Sequence, residues 1–313
     1  MKVIFMGTPK FAVPILDKIR SAHDVVLVVT QPDQYNYKKK TVLYNPVKQY
    51  AMENNLDIFQ PEKIKLEADY VLNKTCDIIV TAAYGQIVPE CILNHPKYKC
   101  INVHGSLLPK YRGGAPIQRA IINGESKTGI TIMYMAKKMD AGDIIVKKEL
   151  PILDSDTQDS VFEKLSVMGS EMILDVLRDL ENNCVVSIPQ DENEVTYAYN
   201  LTKEDELINF NNDARGVFNQ IRGLNSNPGA YFIIDNINIK VYNSNIVNKS
   251  TTKKPGTIVA INKNSFEVAC GNNSIIEILE LQVPGKNKML ARDFINGQGR
   301  KLLCVDKEIQ YGK

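Results

Sequence analysis

The sequence predicts an α/β protein, with a doubly wound parallel sheet followed by a small C-terminal β-barrel. Three observations predict it. The first half alternates short β-branched runs with helical patterns, which argues for parallel strands joined by crossover helices. Several of those runs, such as Asp24–Thr30, are almost continuously apolar, as expected of strands covered on both faces. Near Thr196–Phe210 the pattern changes to short strands divided by Asn, Gly and Lys turns.

Taken in order, Lys2–Met6 reads as a strand broken by Gly7-Thr8-Pro9, and Phe11–Ile19 as a helix with apolar residues at helical spacing. A strand at Asp24–Thr30, a helix at Pro46–Glu53 and strands at Asp77–Ala83 and Lys99–His104 follow. Tyr37–Thr41 holds three consecutive lysines and is too polar for a core. Pro116–Ile122 is a short helix. Gly129–Ala136 and Asp143–Leu150 form a hairpin around K-K-M-D-A-G. Thr157–Leu180 is a long helix whose stripe of Val161, Leu165, Met168, Met172, Ile173, Val176 and Leu177 faces a core. These elements make a Rossmann-like first domain. After a helix at Ala214–Arg222 come strands at Ala230–Ile234, Ile237–Tyr242, Gly256–Ile261, Ser265–Cys270 and Ser274–Leu281, then a helix at Leu290–Ile295. Five short strands and a late helix suggest an OB-like barrel. The boundary falls near residue 205, giving domains 1–204, with a linker from about 190, and 205–313.

Composition narrows the class. The 313 residues are 44% hydrophobic and 24% charged, enough apolar mass for a real core. Apolar runs such as Val25–Val29 fall far short of the ~20 residues of a membrane span. The N-terminus is strand-like and has no secretion-signal pattern. A cytoplasmic protein is expected. The six cysteines show no C-x-x-C spacing, so reduced, mostly buried thiols are expected, without zinc or redox chemistry. Net charge is +2, but residues 201–313 hold 15 Lys and Arg against 11 Asp and Glu. That mildly basic C-terminal part suits a nucleic-acid partner as well as it suits an ordinary solvated surface.

The chemistry concentrates in N-V-H-G-S-L-L-P-K-Y-R-G-G-A-P, Asn102 to Pro116. Alternation along a strand puts Asn102 and His104 on one face. They lie at the carboxyl end of a parallel strand, the edge where open α/β sheets bind ligands. An amide can donate to the oxyanion of an acyl transfer, and an imidazole can move protons near neutral pH. A histidine that merely caps the strand is the bland reading. A carboxylate from the hairpin M-D-A-G-D would orient His104, but spacing does not choose between Asp140 and Asp143. G-T-P-K-F-A after the first strand lacks the three glycines of a dinucleotide loop, and no Walker sequence is present.

These residues are similar to those of a known family. N-V-H-G-S-L-L-P-K-Y-R-G-G-A-P-I-Q-R-A-I, T-G-I-T-I-M and M-D-A-G-D-I resemble the folate-dependent formyltransferases. F-M-G-T-P-K-F-A-V-P, T-Q-P-D, N-P-V-K, A-A-Y-G-Q-I-V-P and L-Q-V-P-G-K-N-K-M extend the resemblance over nearly the whole chain. R-G-G-A-P-I-Q and the C-terminal part point to the branch that acts on charged tRNA. The resemblance implies 10-formyltetrahydrofolate as formyl donor, the α-amine of initiator methionyl-tRNA as acceptor, a monomer, and no metal. It implies Asn102, His104 and Asp140 as the catalytic set, which selects Asp140 over Asp143. It also implies a folate-binding segment at Ser106, Leu107, Leu108 and Pro109, and a pterin-lining loop at Tyr84, Gly85, Gln86 and Ile87. Contacts to tRNA would fall to Lys38, Lys39, Lys40, Arg112 and Lys203.

One stretch departs from the pattern. The loop after Q-P-D often carries Gly and Arg before a Lys pair in this family, whereas Gln34–Lys40 reads Q-Y-N-Y-K-K-K, with Lys38 nearest the arginine's place. Lysine does not replace arginine in phosphate recognition, though lysines with interleaved tyrosines can grip and stack on an acceptor end. Three other readings stand beside this one: transfer to a small amine such as an amino sugar nucleotide or glycinamide ribonucleotide, hydrolysis of the formyl donor, and a non-catalytic RNA-binding module.

Overall fold

The structure is a computed structural model that describes residues 1–37 and 40–312. Its first compact unit comprises Met1–Pro116, Lys127–Pro151 and Phe162–Tyr199. The chain enters through β1 (Lys2–Gly7), α1 (Ala12–Arg20) and β2 (Asp24–Val29), then makes a two-stranded hairpin of β3 (Gln34–Asn36) and β4 (Thr41–Leu43). α2 (Pro46–Glu53) starts where the sequence predicts. Pro46 takes the first helical position and the Asn45 Oδ1 accepts the Lys48 N–H at 2.9 Å. β5 (Ile58–Phe59), α3 (Ala68–Leu72), β6 (Ile78–Ala82), α4 (Glu90–Leu93), β7 (Cys100–His104) and α5 (Pro116–Ile122) follow, then β8 (Lys127–Tyr134), β9 (Ile144–Pro151) and the long α6 (Gln158–Glu181).

Seven strands form one sheet in the order β5-β2-β1-β6-β7-β8-β9. The first five run parallel; β8 runs antiparallel to β7, and β9 antiparallel to β8, as the hairpin signature requires. The chain leaves β1 toward β2 on one side and later reaches β6 on the other. The loops after β1 and β6 therefore border the crevice at which such sheets bind ligands. The apolar strands are buried as their composition predicts, and Val3 to Met6, Leu27 to Val29 and Ile78 to Val80 expose nothing. Every residue of the predicted α6 stripe is buried. Gly169 lets α6 pass close under β7, because a Cβ there would lie 2.9 Å from the Val103 Cγ1. Val103 points opposite Asn102 and His104, so the helix supports the strand from behind the site.

The second compact unit comprises Ile117–Ser126, Ile152–Val161 and Asn200–Lys313. It begins five residues before the expected boundary and takes in two stretches that sequence analysis assigns to the first domain. After α7 (Lys203–Glu206) and α8 (Ala214–Gly223) the strands are β10 (Ala230–Ile234), β11 (Ile237–Val247), β12 (Ile258–Ile261), β13 (Phe266–Ala269), β14 (Ile275–Gln282) and β15 (Met289–Leu290), followed by α9 (Ala291–Asn296) and α10 (Gly299–Leu302). The sheet runs β10-β11-β14-β13-β12, with β15 on β14. Asp235 and Asn236 both take positive φ, 48° and 62°, between β10 and β11, which is the backbone of a tight hairpin turn. Phe210, Phe232, Phe266 and Phe294 fill the core.

The C-terminal tail closes this sheet. Gln310 pairs with Ile233 on β10, and Glu308 pairs with Thr257 just before β12, so the two edge strands are bridged. Ile309 is buried between them. Truncation after Val305 removes about 2–3 kcal/mol of apolar burial and about 1 kcal/mol for each backbone bond lost. The expected result is a fall in melting temperature of more than about 10 °C for this unit; a truncated protein melting within two degrees of the full chain contradicts the closure.

The cysteine expectation holds only in part. All six are free thiols, but Cys91, Cys184 and Cys304 are exposed, and only Cys100 and Cys270 are buried. Burial pushes the Cys270 thiol up to about 12.

Candidate active site

The carboxyl ends of β1, β6 and β7 converge. Thr8, just after β1, donates its hydroxyl to the Tyr84 carbonyl after β6 at 2.9 Å, which joins the two loops that flank the crevice. Gln31 donates to the same carbonyl at 3.0 Å. On β7, register pairs Asn102 with Thr81 of β6 and with Met133 of β8, and pairs His104 with Thr131.

Asn102 is held by its oxygen. The Thr81 hydroxyl donates to Asn102 Oδ1 at 2.7 Å, so the Nδ2 hydrogens are the part of the amide left for another acceptor. The imidazole of His104 is nearly buried, and its Nε2 lies 3.0 Å from the Tyr111 carbonyl. A carbonyl only accepts, so Nε2 carries the hydrogen and Nδ1 is the nitrogen that exchanges protons. Nδ1 faces Asp140, whose Oδ2 is 3.7 Å away, and their side chains are 7% and 14% exposed. That separation exceeds a hydrogen bond. Asp140 is fixed instead by the Gly113 N–H, which donates to Oδ2 at 2.8 Å. The structure thus brings Asn102, His104 and Asp140 to one edge of the sheet, while Asp143 is exposed and its carbonyl accepts the Tyr134 N–H at 3.0 Å. His104 owes its orientation to Tyr111 rather than to a carboxylate.

The segment after His104 is built from the inside. The Ser106 hydroxyl donates to the Lys110 carbonyl at 2.7 Å, and Thr131 Oγ1 donates to the Ser106 carbonyl at 2.7 Å. Leu108 is wholly buried against Met133 and Ile144, and the Leu108–Pro109 bond is cis. Ser106 and Leu108 therefore shape the turn, and Pro109 is buried with them; Leu107 is half-buried. In the loop after β6 the Tyr84 ring packs into the core, and burial pushes its hydroxyl well above the usual tyrosine range. Gln86 Oε1 accepts the Ile64 N–H at 2.8 Å and its Nε2 donates to the Pro61 carbonyl at 3.0 Å. Gly85 is exposed, and Ile87 stands 84% exposed.

The basic residues divide sharply. Lys38 and Lys39 lie outside the described residues, and Lys40 is exposed. Lys203 is exposed, pairs with Glu206 at 3.2 Å, and borders a cavity of about 480 Å³ with Tyr231, Lys240 and Gln282. Arg112 corrects the expectation of a surface contact. Its side chain is 0% exposed, with Nε and Nη2 donating to Gln190 Oε1 at 3.1 and 2.9 Å and Nη2 to Glu192 at 2.8 Å. A guanidinium so enclosed cannot reach a phosphate. The Arg112 and Lys138 partners hold the Glu192 carboxyl down to about 2.

Residues 1–177 match the family model described as formyl transferase, and residues 200–299 match the one described as formyl transferase, C-terminal domain. The chain belongs to the formyl transferase family. Its relatives within the family include a methionyl-tRNA formyltransferase of Staphylococcus aureus (strain MW2), 44% identical over 309 residues that span 96% of this chain and 99% of that protein. Among solved structures, the fold is shared with WlaRD, a sugar 3N-formyl transferase crystallised in the presence of dTDP and 5-N-formyl-THF. That likeness has a TM-score of 0.70 at 21% identity and covers 92% of this chain and 99% of WlaRD. HypX from Aquifex aeolicus, in complex with tetrahydrofolic acid, shares the fold at a TM-score of 0.65 and 16% identity, covering all of this chain and 50% of HypX.

Four groups that contact these predicted side chains escape the sequence reading: Thr81, the Tyr111 carbonyl, the Gly113 N–H and Gln190, the partner of Arg112. Thr81 carries a weak signal, being the polar residue in the buried run I-I-V-T-A next to the strand that bears Asn102. The two backbone groups and Gln190 carry none, because their roles arise only when distant segments meet.

Proposed function

We propose that this protein transfers a formyl group from 10-formyltetrahydrofolate to the α-amine of methionine on initiator methionyl-tRNA. The observation that carries the reading is the meeting of Asn102, His104 and Asp140 at one sheet edge, in a chain that matches a methionyl-tRNA formyltransferase along 96% of its length. At the crevice, exposed Ile87 beside the turned-out backbone of Ala83 and Gly85, φ 48° and 90°, offers an apolar side chain and peptide groups. That combination suits a flat pterin ring with a polar edge.

The folate supplies the formyl carbon as an N-acyl donor. The amine of the acceptor forms the new C–N bond and loses a proton, the bond to the folate nitrogen breaks, and that nitrogen regains a proton. Asn102 donates through Nδ2 to the formyl oxygen as it gains negative charge, with Thr81 keeping the amide in that orientation. His104 exchanges protons through Nδ1, because Nε2 is committed to Tyr111. Asp140 offsets the positive charge that His104 acquires, and the 3.7 Å gap leaves the relay between them to a bridging water or a small movement.

The test is direct. Purified protein given 10-formyltetrahydrofolate and charged initiator tRNA is expected to yield formylmethionyl-tRNA and tetrahydrofolate in equal amounts. Formate released without an acceptor would instead identify a hydrolase.

Acceptor binding is assigned in part to the loop at Gln34–Lys40. The hairpin of β3 and β4 presents exposed Tyr35, Tyr37, Val42, Leu43 and Tyr44, with Tyr35 and Tyr37 edge to face at 5.0 Å, which supports a stacking role. Replacing Lys38, Lys39 and Lys40 together by alanine is expected to weaken tRNA binding and to reduce the slope of log affinity against log salt by about 2–3. Unchanged binding across a salt series would remove the loop from the interface.

A further inference from the structure

We propose that Gln190, aimed by the buried Arg112, is the positioning residue that holds Asp140 in place for formyl transfer; the proposal rests on the functional reading above. Gln190 touches no reacting group. Its Nε2 donates to the carbonyls of Asp140 and Gly142 at 2.9 and 2.7 Å, gripping the main chain at the residue that carries the carboxylate and two residues beyond it. Asp140 has φ 50°, a left-handed conformation that aspartate adopts more readily than most residues and that the two bonds from Gln190 hold in place. Gly142 admits no side chain, since a Cβ would lie 1.8 Å from the Tyr134 carbonyl oxygen.

Amide orientation is usually ambiguous, but here the partners decide it. A guanidinium only donates and a carbonyl only accepts. With Arg112 Nε and Nη2 both on Gln190 Oε1, the amide nitrogen must face the two carbonyls. Arg112 thus sends two hydrogen bonds to a neutral amide and one to the Glu192 carboxylate, and among the described residues its Nη1 has no hydrogen-bond partner. An ion pair that buries the guanidinium while its carboxylate partner stays 58% exposed contributes little to stability, which favours a positioning role for Arg112.

The same short segment holds both halves of the dyad. Tyr111 offers its carbonyl to His104, Arg112 sends its side chain to Gln190, and Gly113 gives its N–H to Asp140. That segment is itself pinned by Thr196, whose hydroxyl accepts the Tyr111 N–H and whose carbonyl accepts the Arg112 N–H, both at 2.9 Å. Residues 190–198 therefore complete the site from outside the sheet.

Gln190→Glu separates position from stability. The carboxylate gives Arg112 a second ion pair beside Glu192, yet it presents an acceptor to two carbonyls that need a donor. Gln190→Met keeps the length and removes both donors. Single-turnover formyl transfer to methionyl-tRNA is expected to slow about 10- to 100-fold in each variant, with KM for tRNA and the dissociation constant for 5-formyltetrahydrofolate within about twofold of wild type. Melting temperature is expected to hold in Gln190→Glu, and the concentration of folate-binding sites corrects every rate for folded protein. Turnover within twofold of wild type in Gln190→Glu overturns the proposal. So does a rate loss in both variants that disappears after that correction. An inactive wild-type protein overturns the parent reading, and the clamp with it.

Discussion

Asn102→Ala is expected to lower kcat for formyl transfer by about 100- to 1000-fold while leaving the fold and folate affinity intact. One aimed donor to a developing oxyanion is typically worth about 3 kcal/mol of barrier, and each 1.36 kcal/mol is tenfold in rate. The local geometry keeps this substitution clean. Thr81 loses its 2.7 Å acceptor, but the Ile101 carbonyl lies 3.3 Å from the same hydroxyl and can take its hydrogen. The buried threonine therefore does not become an orphan that would unfold the strand. Single-turnover rates, with folate binding measured alongside, check the prediction. A rate within fivefold of wild type would remove Asn102 from the mechanism.

Asp140→Asn is expected to cost about a hundredfold or more in kcat, again without unfolding. Asparagine is the substitution that isolates charge. It can still accept the Gly113 N–H through its oxygen, and it tolerates the left-handed φ of 50° at least as well as aspartate does. What it removes is the negative charge 3.7 Å from His104 Nδ1. Asp140→Ala would mix that loss with backbone strain and is the weaker experiment. A turnover near wild type in Asp140→Asn would mean that His104 works without a carboxylate partner.

Much of this architecture was legible in residue order because local signals were strong. Pro46 and Pro116 mark helix starts, and both helices run as expected. The alternation of Asn102 and His104 follows from the two-residue period of a strand and needs no tertiary information. Asp140 and Asp143 look alike in sequence because what separates them is non-local: a backbone N–H from Gly113 and a clamp from Gln190, 50 residues further on. Arg112 was misread for the same reason. Its place just beyond Ser106–Pro109 suggests a contact to a phosphate-bearing acceptor, but its partners Gln190 and Glu192 lie 78 and 80 residues away. Ser106 and Leu108, expected to bind folate, point inward, since Thr131, Met133 and Ile144 on the antiparallel edge receive them. The β3–β4 hairpin was missed because its strands are three residues each and polar at their join.

Offered initiator methionyl-tRNA, elongator methionyl-tRNA and a dTDP-linked amino sugar together, with formyl-labelled 10-formyltetrahydrofolate, the protein is expected to place label on the initiator tRNA in large excess over both others. Label on the amino sugar, with the tRNA untouched, would contradict the assignment of acceptor while sparing the Asn102, His104 and Asp140 chemistry.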